Sequence, residues 1–241
     1  MSYALILKRD RRGGHAPGPH DHDGLENMRP ALRRLDGLLR ATLCISEPLA
    51  DPLLNERTHA GACLALYFRT HHDLTQACAN AAALNALFLS EPFRGCDPGE
   101  LSHQVMQAHC FSTSDGTMGG IQGGFGYMVG YEGDPTDPAA WVADYMENHV
   151  SLMQRLPGIR HIEVFTRIEP YVIPSMGLGQ NWMLRNMACF ATRREMAAAL
   201  RSPARAALLA HRSGMAEHGG ESEHISVSFQ TMEVEATAND P

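Results

Sequence analysis

The chain has 241 residues, enough for one large domain or two small ones. Hydrophobic residues make up 44% and charged residues 20%, which excludes a disordered chain, and no apolar run is long enough to predict a transmembrane helix. The formal net charge is -7 and only 20 residues are Lys or Arg, so a nucleic-acid-binding surface is not expected. A small molecule is the expected partner, and a homodimer is left open.

The start of the chain and its cysteines indicate a reducing compartment. Residues 1–8 form a short apolar run, and basic residues follow this run. In a secretory signal the basic residues come first, so a cytoplasmic location is expected. Six cysteines are spread without a C-x-x-C pair, which argues against a zinc clip or a redox dithiol. We expect them as free thiols in or near the core.

Short segments of the chain recur at a nearly constant offset. Residues 155–159 (RLPGI) resemble residues 34–38 (RLDGL), 121 positions earlier, and residues 190–192 (FAT) resemble residues 68–70 (FRT), 122 positions earlier. Alanine-rich helical segments follow the second match in both places. The constant order and offset predict an internal duplication.

The elements predicted in chain order are the same in both copies. Asp137 followed by Pro138 is a helix-start signal, and Gly37 and Gly158 stand where the first helix of each copy must turn. Trp141, Tyr145, Leu152 and Leu156 recur at helical spacing and predict a buried stripe. The predicted strands are 3–8, 39–45, 61–69 and 101–111, then 125–131, 160–168, 184–191 and 224–235; the predicted helices are 24–35, 73–89, 137–156 and 194–209.

Each copy therefore has the order βαββαβ, which is that of a ferredoxin-like sandwich. Such a unit covers one face of its sheet with helices and leaves the other face to be buried. We expect an α+β protein in which two tandem ferredoxin-like units, residues 1–111 and 125–241, form an α/β barrel. The glycine-rich segment 112–124 is the predicted linker, and it lacks the Gly-Lys-Ser/Thr ending of a phosphate-binding loop.

The second copy resembles a known family. Residues 144–152 (DYMENHVSL) and 155–160 (RLPGIR) are similar to the first helix and turn of the EthD-like branch of the dimeric α/β-barrel superfamily, and residues 190–209 are similar to its second helix. The resemblance implies a cavity between two facing sheets, a small organic substrate and no cofactor. Methylmuconolactone methylisomerase is among the proteins it resembles, and cofactor-free monooxygenases occur elsewhere in the superfamily.

Two residues of the predicted helix 137–156 are the first catalytic candidates. By the resemblance, His149 takes the place of the family's helix histidine, whereas the first copy has Met28 there. An unperturbed imidazole titrates near pH 6.5 and can accept and donate a proton. Tyr145 precedes His149 by four residues, so the two side chains can meet on a helix, although Tyr145 is equally suited to the core.

The predicted strand 101–111 carries two further catalytic candidates. His103 and His109 are six residues apart and share one face of the strand by alternation. If that face points into the barrel, both histidines line the cavity; the alternative is a pair of strand histidines that face solvent.

The predicted substrate-binding residues lie mainly around two loops. Residues 169–185 are too polar and too broken for a regular strand, and a loop there can cover the mouth of a cavity. Side chains in these places could hold a carboxylate or stack on a planar ring, although a lone tryptophan more often fills the core. The candidates are Tyr171, Asn181, Trp182 and Arg185 in this loop, His161 on the preceding strand, and Arg57 and His59 before strand 61–69 of the first copy.

A histidine-rich segment near the start of the chain raises the question of a metal. His15, His20 and His22 lie close to Asp21 and Asp23. These side chains are suitable ligands for Zn²⁺ or Ni²⁺, but the glycines and prolines around them make ordering costly. A loop is the better explanation, and no metal is predicted.

These patterns lead to one functional hypothesis and two alternatives. The preferred function is a cofactor-independent isomerase of aromatic catabolism, in which His149 moves a proton on a small unsaturated carboxylic acid or lactone. The first alternative is a cofactor-free monooxygenase that acts on a phenolic or polyketide substrate. The second is a small-molecule binding module without catalysis.

Overall fold

Eight antiparallel strands close into a barrel, with helices packed on its outer surface. The computed structural model describes residues 2–10, 24–49, 51–53, 61–90, 92–93, 100–112, 122–168 and 178–234. The strands are β1 Ser2–Asp10, β2 Leu38–Ser46, β3 Gly61–Phe68, β4 Leu101–Ser112, β5 Gly123–Gly133, β6 Ile159–Arg167, β7 Leu178–Gly179, β8 Trp182–Phe190 and β9 Gly219–Glu233. The helices are α1 Gly24–Leu32, α2 His71–Ala79, α3 Ala81–Phe88, α4 Pro138–Asp144, α5 Val150–Met153, α6 Arg193–Leu200 and α7 Pro203–Gly214. None of these helices is long and apolar enough to cross a membrane.

The strand order shows how the barrel closes. The neighbours run β1-β3-β2-β9-β5-β8-β6-β4, and β4 pairs again with β1. Within each half, the first strand lies between the third and the fourth, and the second strand pairs with the third. The pairs β2–β9 and β4–β6 join the halves, so none of the eight strands is left as an open edge. The α+β class and the barrel are therefore confirmed.

The two halves share local details of pairing. The ladder between β2 and β3 shifts register between Leu38 and Arg40, and the ladder between β6 and β8 shifts between Ile159 and His161, 121 positions later. Residues 113–121, which form most of the predicted linker, lie outside the described residues. The boundaries of the two predicted domains stay predictions.

Equivalent capping boxes begin the second helical region of each half. Thr70 accepts a hydrogen bond from the backbone N–H of Asp73, whose carboxylate accepts from the backbone N–H of Thr70. Thr192 and Glu195 repeat the arrangement in front of α6. A threonine followed three residues later by an acid satisfies two backbone donors at a helix start, which explains why both helices begin there.

Each second helical region is two helices instead of the single helix that the sequence predicts. In the first half, Asn80 ends α2 and caps α3 by accepting from the N–H of Ala83. In the second half, Ser202 accepts from the N–H of Arg205, and Pro203 begins α7. Asparagine and serine bond to nearby backbone groups and favour caps, and proline removes a helical donor, so the chain restarts at these residues.

The core has three apolar layers. One cluster fills the barrel interior with residues from both halves, including Ile6, Tyr67, Met106, Phe165 and Phe229. Two further clusters lie outside the barrel, each between the sheet of one half and its helices. The prediction of an open space between facing sheets is therefore wrong for most of the interior, because large side chains from both sheets meet there.

Two equivalent glycines allow a stability test of the shared architecture. Gly37 and Gly158 have φ of +73° and +77°, which favours glycine. An added Cβ would lie 2.7 Å from Cβ of Asp73 at the first position, but 3.2 Å from Cβ of Glu195 at the second. We expect Gly158→Ala to lower the free energy of unfolding by about 1–2 kcal/mol, and Gly37→Ala to lower it by more. Denaturant unfolding measures both.

Gly214 supplies the control for this test. It lies in α7, and nothing lies within 4 Å of an added Cβ. Gly214→Ala should leave stability unchanged or raise it by up to about 1 kcal/mol, because alanine favours helix. A Gly37→Ala variant as stable as Gly214→Ala would contradict the crowded, positive-φ conformation assigned to Gly37.

Candidate active site

A cavity of about 390 Å³, partly open to solvent, lies between the sheet of the second half and its helices. We call it the helix-side cavity. That volume includes space that is open to solvent. Its polar wall consists of Tyr127, Tyr131, Tyr145, His149, Asn186 and Arg205; its apolar wall includes Met153, Leu156, Phe190 and Leu208.

A π-helical turn positions the two leading candidates. The sequence predicts a regular helix over residues 137–156, but Tyr145–His149 forms a π-helical turn between α4 and α5. Asp137 caps α4 as predicted, by accepting from the N–H of Ala140. Tyr145 is fully buried and His149 is 5% exposed, and their rings stack with centroids 4.4 Å apart. Such turns are rare and occur often at functional sites.

His149 is connected to the surface through a second histidine. Its Nδ1 lies 3.2 Å from Nδ1 of His211, and Nε2 of His211 lies 3.8 Å from a carboxylate oxygen of Asp144. If the proton of His211 is on Nε2, facing Asp144, its Nδ1 accepts from Nδ1–H of His149. This tautomer leaves Nε2 of His149 as a proton acceptor. A proton can therefore pass between His149 and His211, and Asp144 lies within ion-pair distance of His211.

The environment keeps His149 neutral. Burial, followed by the charges of His211 and Arg205, lowers its pKa to about 3. Arg212 adds to the effect from the end of α7. The guanidinium charges of Arg205 and Arg212 disfavour an imidazolium at His149 but would stabilise an anion nearby. The cavity is therefore suited to a substrate that becomes negatively charged.

Aromatic rings form one wall of the helix-side cavity. Trp141 stacks on Tyr145 with centroids 5.5 Å apart, and Tyr131 meets Tyr145 edge-on. The hydroxyl of Tyr145 accepts a hydrogen bond of 2.5 Å from the amide of Asn186, and burial raises its pKa well above the usual value. These rings are fixed by their mutual packing and favour a planar ligand.

Arg205 belongs to a buried polar group on the other side of the cavity. Its guanidinium binds a carboxylate oxygen of Asp51 at 2.6 Å, and the hydroxyl of Tyr127 donates to the same oxygen at 2.8 Å. Nδ1 of His224 lies 3.1 Å from the Tyr127 hydroxyl. Burial and the charge of Arg205 lower the pKa of His224 to about 4. The group fixes a positive charge in the cavity wall.

The equivalent places in the first half are apolar. The strand registers place Tyr127 and Asn186 at the positions that Leu5 and Leu64 occupy in the first half. Arg205 follows the cap of α7 by the same number of residues as Ala83 follows the cap of α3. Leu5, Leu64 and Ala83 are fully buried in the first core, as is Met28, the counterpart of His149.

Sequence reasoning missed Tyr127, Asn186 and Arg205 as site residues. A position-by-position comparison of the two copies could have found them, because these three residues are polar where the first copy has leucine or alanine. Asp51 has no such signal, since its place beside Arg205 depends on the packing of the two halves.

The structure places His103 and His109 away from the barrel interior. In β4, Met106 and Ala108 belong to the interior cluster, whereas Val105 belongs to the core of the first half. By alternation, His103 and His109 share the face of Val105, so the expectation that they line a cavity between the sheets is wrong. His103 is 1% exposed, and Nε2 of His109 lies 3.1 Å from the Thr166 hydroxyl.

His161 lies at one end of the barrel interior, beside the buried Glu163. Arg40 binds Glu163, Tyr67 donates a hydrogen bond to it, and Nε2 of His161 lies 3.4 Å from it. Burial opposes ionisation, but the His161 hydrogen bond and the Arg40 charge outweigh it and lower the pKa of Glu163 to about 2.

Cys110, His161 and Glu163 place possible metal-ligating atoms within 4.8 Å of one another. Both carboxylate oxygens of Glu163 are already bonded, one by Arg40 and the other by Tyr67. A buried ion-pair network is therefore the better explanation of this group.

The substrate-binding candidates within residues 169–185 lie in different places in the structure. Asn181 is exposed and accepts from Arg167. Trp182 and Arg185 lie in β8 instead of a loop; they are 8% and 3% exposed, and the guanidinium is 4.6 Å from the indole ring. Neither lines the helix-side cavity. The predicted residues Arg57, His59, Tyr171 and the segment 15–22 lie outside the described residues.

Three solved structures share the fold over nearly all of both chains. An anthrone oxidase-like protein is 12% identical with a TM-score of 0.61, covering 100% of this chain and 97% of that chain. A proposed monooxygenase of Fusobacterium nucleatum is 8% identical with a TM-score of 0.58, covering 98% and 95%. A proposed monooxygenase of Lactobacillus acidophilus is 9% identical with a TM-score of 0.54, covering 98% and 100%.

At these identities the likeness establishes the fold alone. No protein-family model matches the chain, and no curated protein matches it. The barrel architecture implied by the EthD-like resemblance is confirmed over both halves, whereas membership of that family stays a prediction.

The lowered pKa of His149 gives a test of the site's electrostatics. An imidazole with a pKa of about 3 in the folded protein and about 6.5 in the unfolded chain binds more protons when unfolded. Stability should therefore fall as the pH decreases below about 6.5, by up to about 1.4 kcal/mol per pH unit for this one group. We expect His149→Gln to reduce the slope between pH 6.5 and 4.5 by that amount.

Direct titration provides the complementary measurement. The imidazole carbon and nitrogen shifts of His149 should report a neutral ring at pH 5. A charged His149 at pH 5 would contradict the assigned environment.

The Glu163 network gives a second stability test. Glu163→Gln removes the buried partner of Arg40, and we expect it to lower the free energy of unfolding by about 3 kcal/mol or more. Glu26→Gln, which removes the exposed partner of Arg29, should have a much smaller effect, because water screens an exposed ion pair. If denaturant unfolding showed that the two variants lose the same stability, the Glu163 network would not stabilise the fold as described.

Proposed function

We propose that this chain is an enzyme that removes a proton from a small enolisable or phenolic molecule in the helix-side cavity and exposes the resulting anion to dioxygen. The observation that carries the proposal is the neutral His149 on the cavity wall, joined through His211 to Asp144. Asp144 is exposed enough to exchange the proton with water, since 41% of its side chain is accessible.

The proton-transfer step uses groups already in place. Nε2 of His149 accepts a proton from the substrate O–H or activated C–H, and the charge can pass through His211 toward Asp144. The anion left behind offsets the field of Arg205 and Arg212, the same field that lowers the pKa of His149. The ion pair is therefore stabilised, although the imidazolium alone is disfavoured.

Oxidation of the anion needs no metal or organic cofactor in this scheme. An electron-rich carbanion or phenolate adds dioxygen to give a peroxide anion, which takes up the proton. For an activated methylene group, loss of water from the hydroperoxide gives a ketone, so CH₂ and O₂ become C=O and H₂O. The names of the three similar structures, an anthrone oxidase-like protein and two proposed monooxygenases, support this choice over other fates of the anion.

Isomerisation is the second candidate. The chain from His149 to Asp144 that accepts a proton can also return it, at a different carbon of the same anion. This outcome would fit an unsaturated acid or lactone, as the family resemblance implies. The two fates share the first step and differ in whether dioxygen is consumed.

We also infer that the halves are two ferredoxin-like copies of one ancestral unit, of which the second carries the chemistry. The common strand order, the matched register shifts and the matched capping boxes support the duplication. The filled core of the first half supports a scaffold role for it.

The activity test uses anthrone and smaller ring compounds with an acidic O–H or an activated methylene group. We expect the protein to consume dioxygen with at least one of them and to release the ketone. His149→Gln should lower kcat/KM by about 100-fold or more, the usual contribution of general acid–base catalysis. His72→Gln, on the exposed side of α2, should not change it.

Proton exchange without dioxygen separates the hypotheses. Under argon, the protein should exchange the substrate C–H with solvent deuterium, and His149→Gln should slow the exchange. Exchange without any dioxygen uptake in air would favour the isomerase. Ligand binding with neither exchange nor uptake would contradict an enzyme and indicate a binding module.

A further inference from the structure

A small space lies inside the barrel, on the other side of the sheet from the helix-side cavity. In β5, Met128 faces this space while Tyr127 and Val129 face the helix-side cavity. Cys44 and Cys63 also line the space, which is partly open to solvent. Its enclosed part has room for about one water molecule, so a single ion fits there and an organic molecule does not. We call it the barrel space.

Two cysteines lie next to each other on neighbouring strands of the barrel. Cys44 of β2 and Cys63 of β3 are directly opposite each other in the antiparallel ladder, and both belong to the interior cluster. Residues placed in this way have Cβ atoms about 4.5–5.5 Å apart. One metal ion can join two thiolates at this spacing, since a metal–sulfur bond is about 2.3 Å long. Neither cysteine is in a disulfide.

Further sulfur atoms lie close to this pair. The Cys44 thiol donates to the thioether sulfur of Met187 at 3.7 Å, and Cys189 belongs to the same interior cluster. Burial, followed by the nearby thiols of Cys63 and Cys189, raises the pKa of Cys44 well above its usual value. The donors gathered here are thiols and a thioether, a set that prefers a soft metal ion such as Cu(I).

The other residues around the barrel space do not suit a hard metal ion. Among the described residues that line it there is no histidine and no carboxylate, which are the usual ligands of Zn²⁺, Ca²⁺ and Mg²⁺. Lys8 and Arg185 line it, and both lie beside Glu223. Positive neighbours disfavour a bare cation, whereas Cu(I) held by two thiolates is an anion that they stabilise.

We propose that Cys44 and Cys63 form a Cu(I)-binding site inside the barrel, with Met187 as a third ligand. Each thiol loses its proton, so that Cu(I) and two thiols give a bis-thiolate complex and two protons, and nothing is oxidised or reduced. This site does not depend on the proposed function, because it uses none of the residues of the helix-side cavity.

Competition with a chelator tests the site on the unaltered protein. The reduced protein is added, without oxygen, to the coloured Cu(I) complex of bicinchoninate, and the loss of colour measures the copper that the protein removes. We expect removal of one equivalent of Cu(I), and X-ray absorption of the copper should show sulfur ligands. No removal of Cu(I), or copper bound by nitrogen ligands alone, would overturn the proposal.

Three cysteine variants locate the ligands. Cys44→Ala and Cys63→Ala should each weaken Cu(I) binding by at least about 100-fold, more than the loss of a residue that only orients a ligand. Cys78→Ala removes an equally buried thiol from the core of the first half and should leave Cu(I) binding unchanged. Unchanged binding in both Cys44→Ala and Cys63→Ala, or an equal loss in Cys78→Ala, would contradict the site.

Methionine methyl signals decide the question if a cysteine variant does not fold. The unaltered protein is labelled with ¹³C at its methionine methyls, and two signals are assigned from Met187→Leu and Met153→Leu. Cu(I) should shift the Met187 signal and leave that of Met153, which lines the helix-side cavity, in place. A Met187 signal that does not move when copper is bound would overturn the proposal.

Discussion

Closure of the sheet is the constraint on which the rest of the structure depends. The pairs β2–β9 and β4–β6 use the free edges of both halves, so the faces turned toward each other enclose a single interior. Small and large side chains from both halves fill most of that interior, and its ends contain the ion pairs Arg40–Glu163 and Lys8–Glu223. Space for a reacting molecule therefore lies outside the barrel, between one sheet and its helices.

The same strand order encloses different side chains in the two halves. The same strand order and helix caps hold an aliphatic core in the first half and a polar cavity in the second. Exchange of Leu5, Leu64 and Ala83 for Tyr127, Asn186 and Arg205 requires partners for each new polar group, and Asp51 and the Tyr145 hydroxyl supply them. Burial, together with the charge of Arg205, lowers the pKa of both His149 and His224.

Local signals made much of the fold predictable. Asp137 and Pro138 located a helix start, and Gly37 and Gly158 located turns. The orientation of His103 and His109 was not predictable, because strands of a closed barrel with outer helices are apolar on both faces and alternation does not say which face is inside. The helix breaks at Asn80 and Ser202 were not predicted, because good helix formers surround both residues. No sequence pattern marks the π-helical turn. His149 was named through the family resemblance and Tyr145 through its spacing of four residues from His149. Arg205 could not be named from the sequence, because its place in the cavity wall depends on its contact with Asp51.

The location of a bound planar ligand tests the central claim most directly. A crystal structure with 2-naphthol, a two-ring phenol that resembles the proposed substrates, would show which side of the sheet receives it. The account predicts density in the helix-side cavity, with the hydroxyl oxygen about 2.6–3.2 Å from Nε2 of His149 and the rings against Tyr145. Density for the ligand inside the barrel, with the helix-side cavity empty, would contradict it.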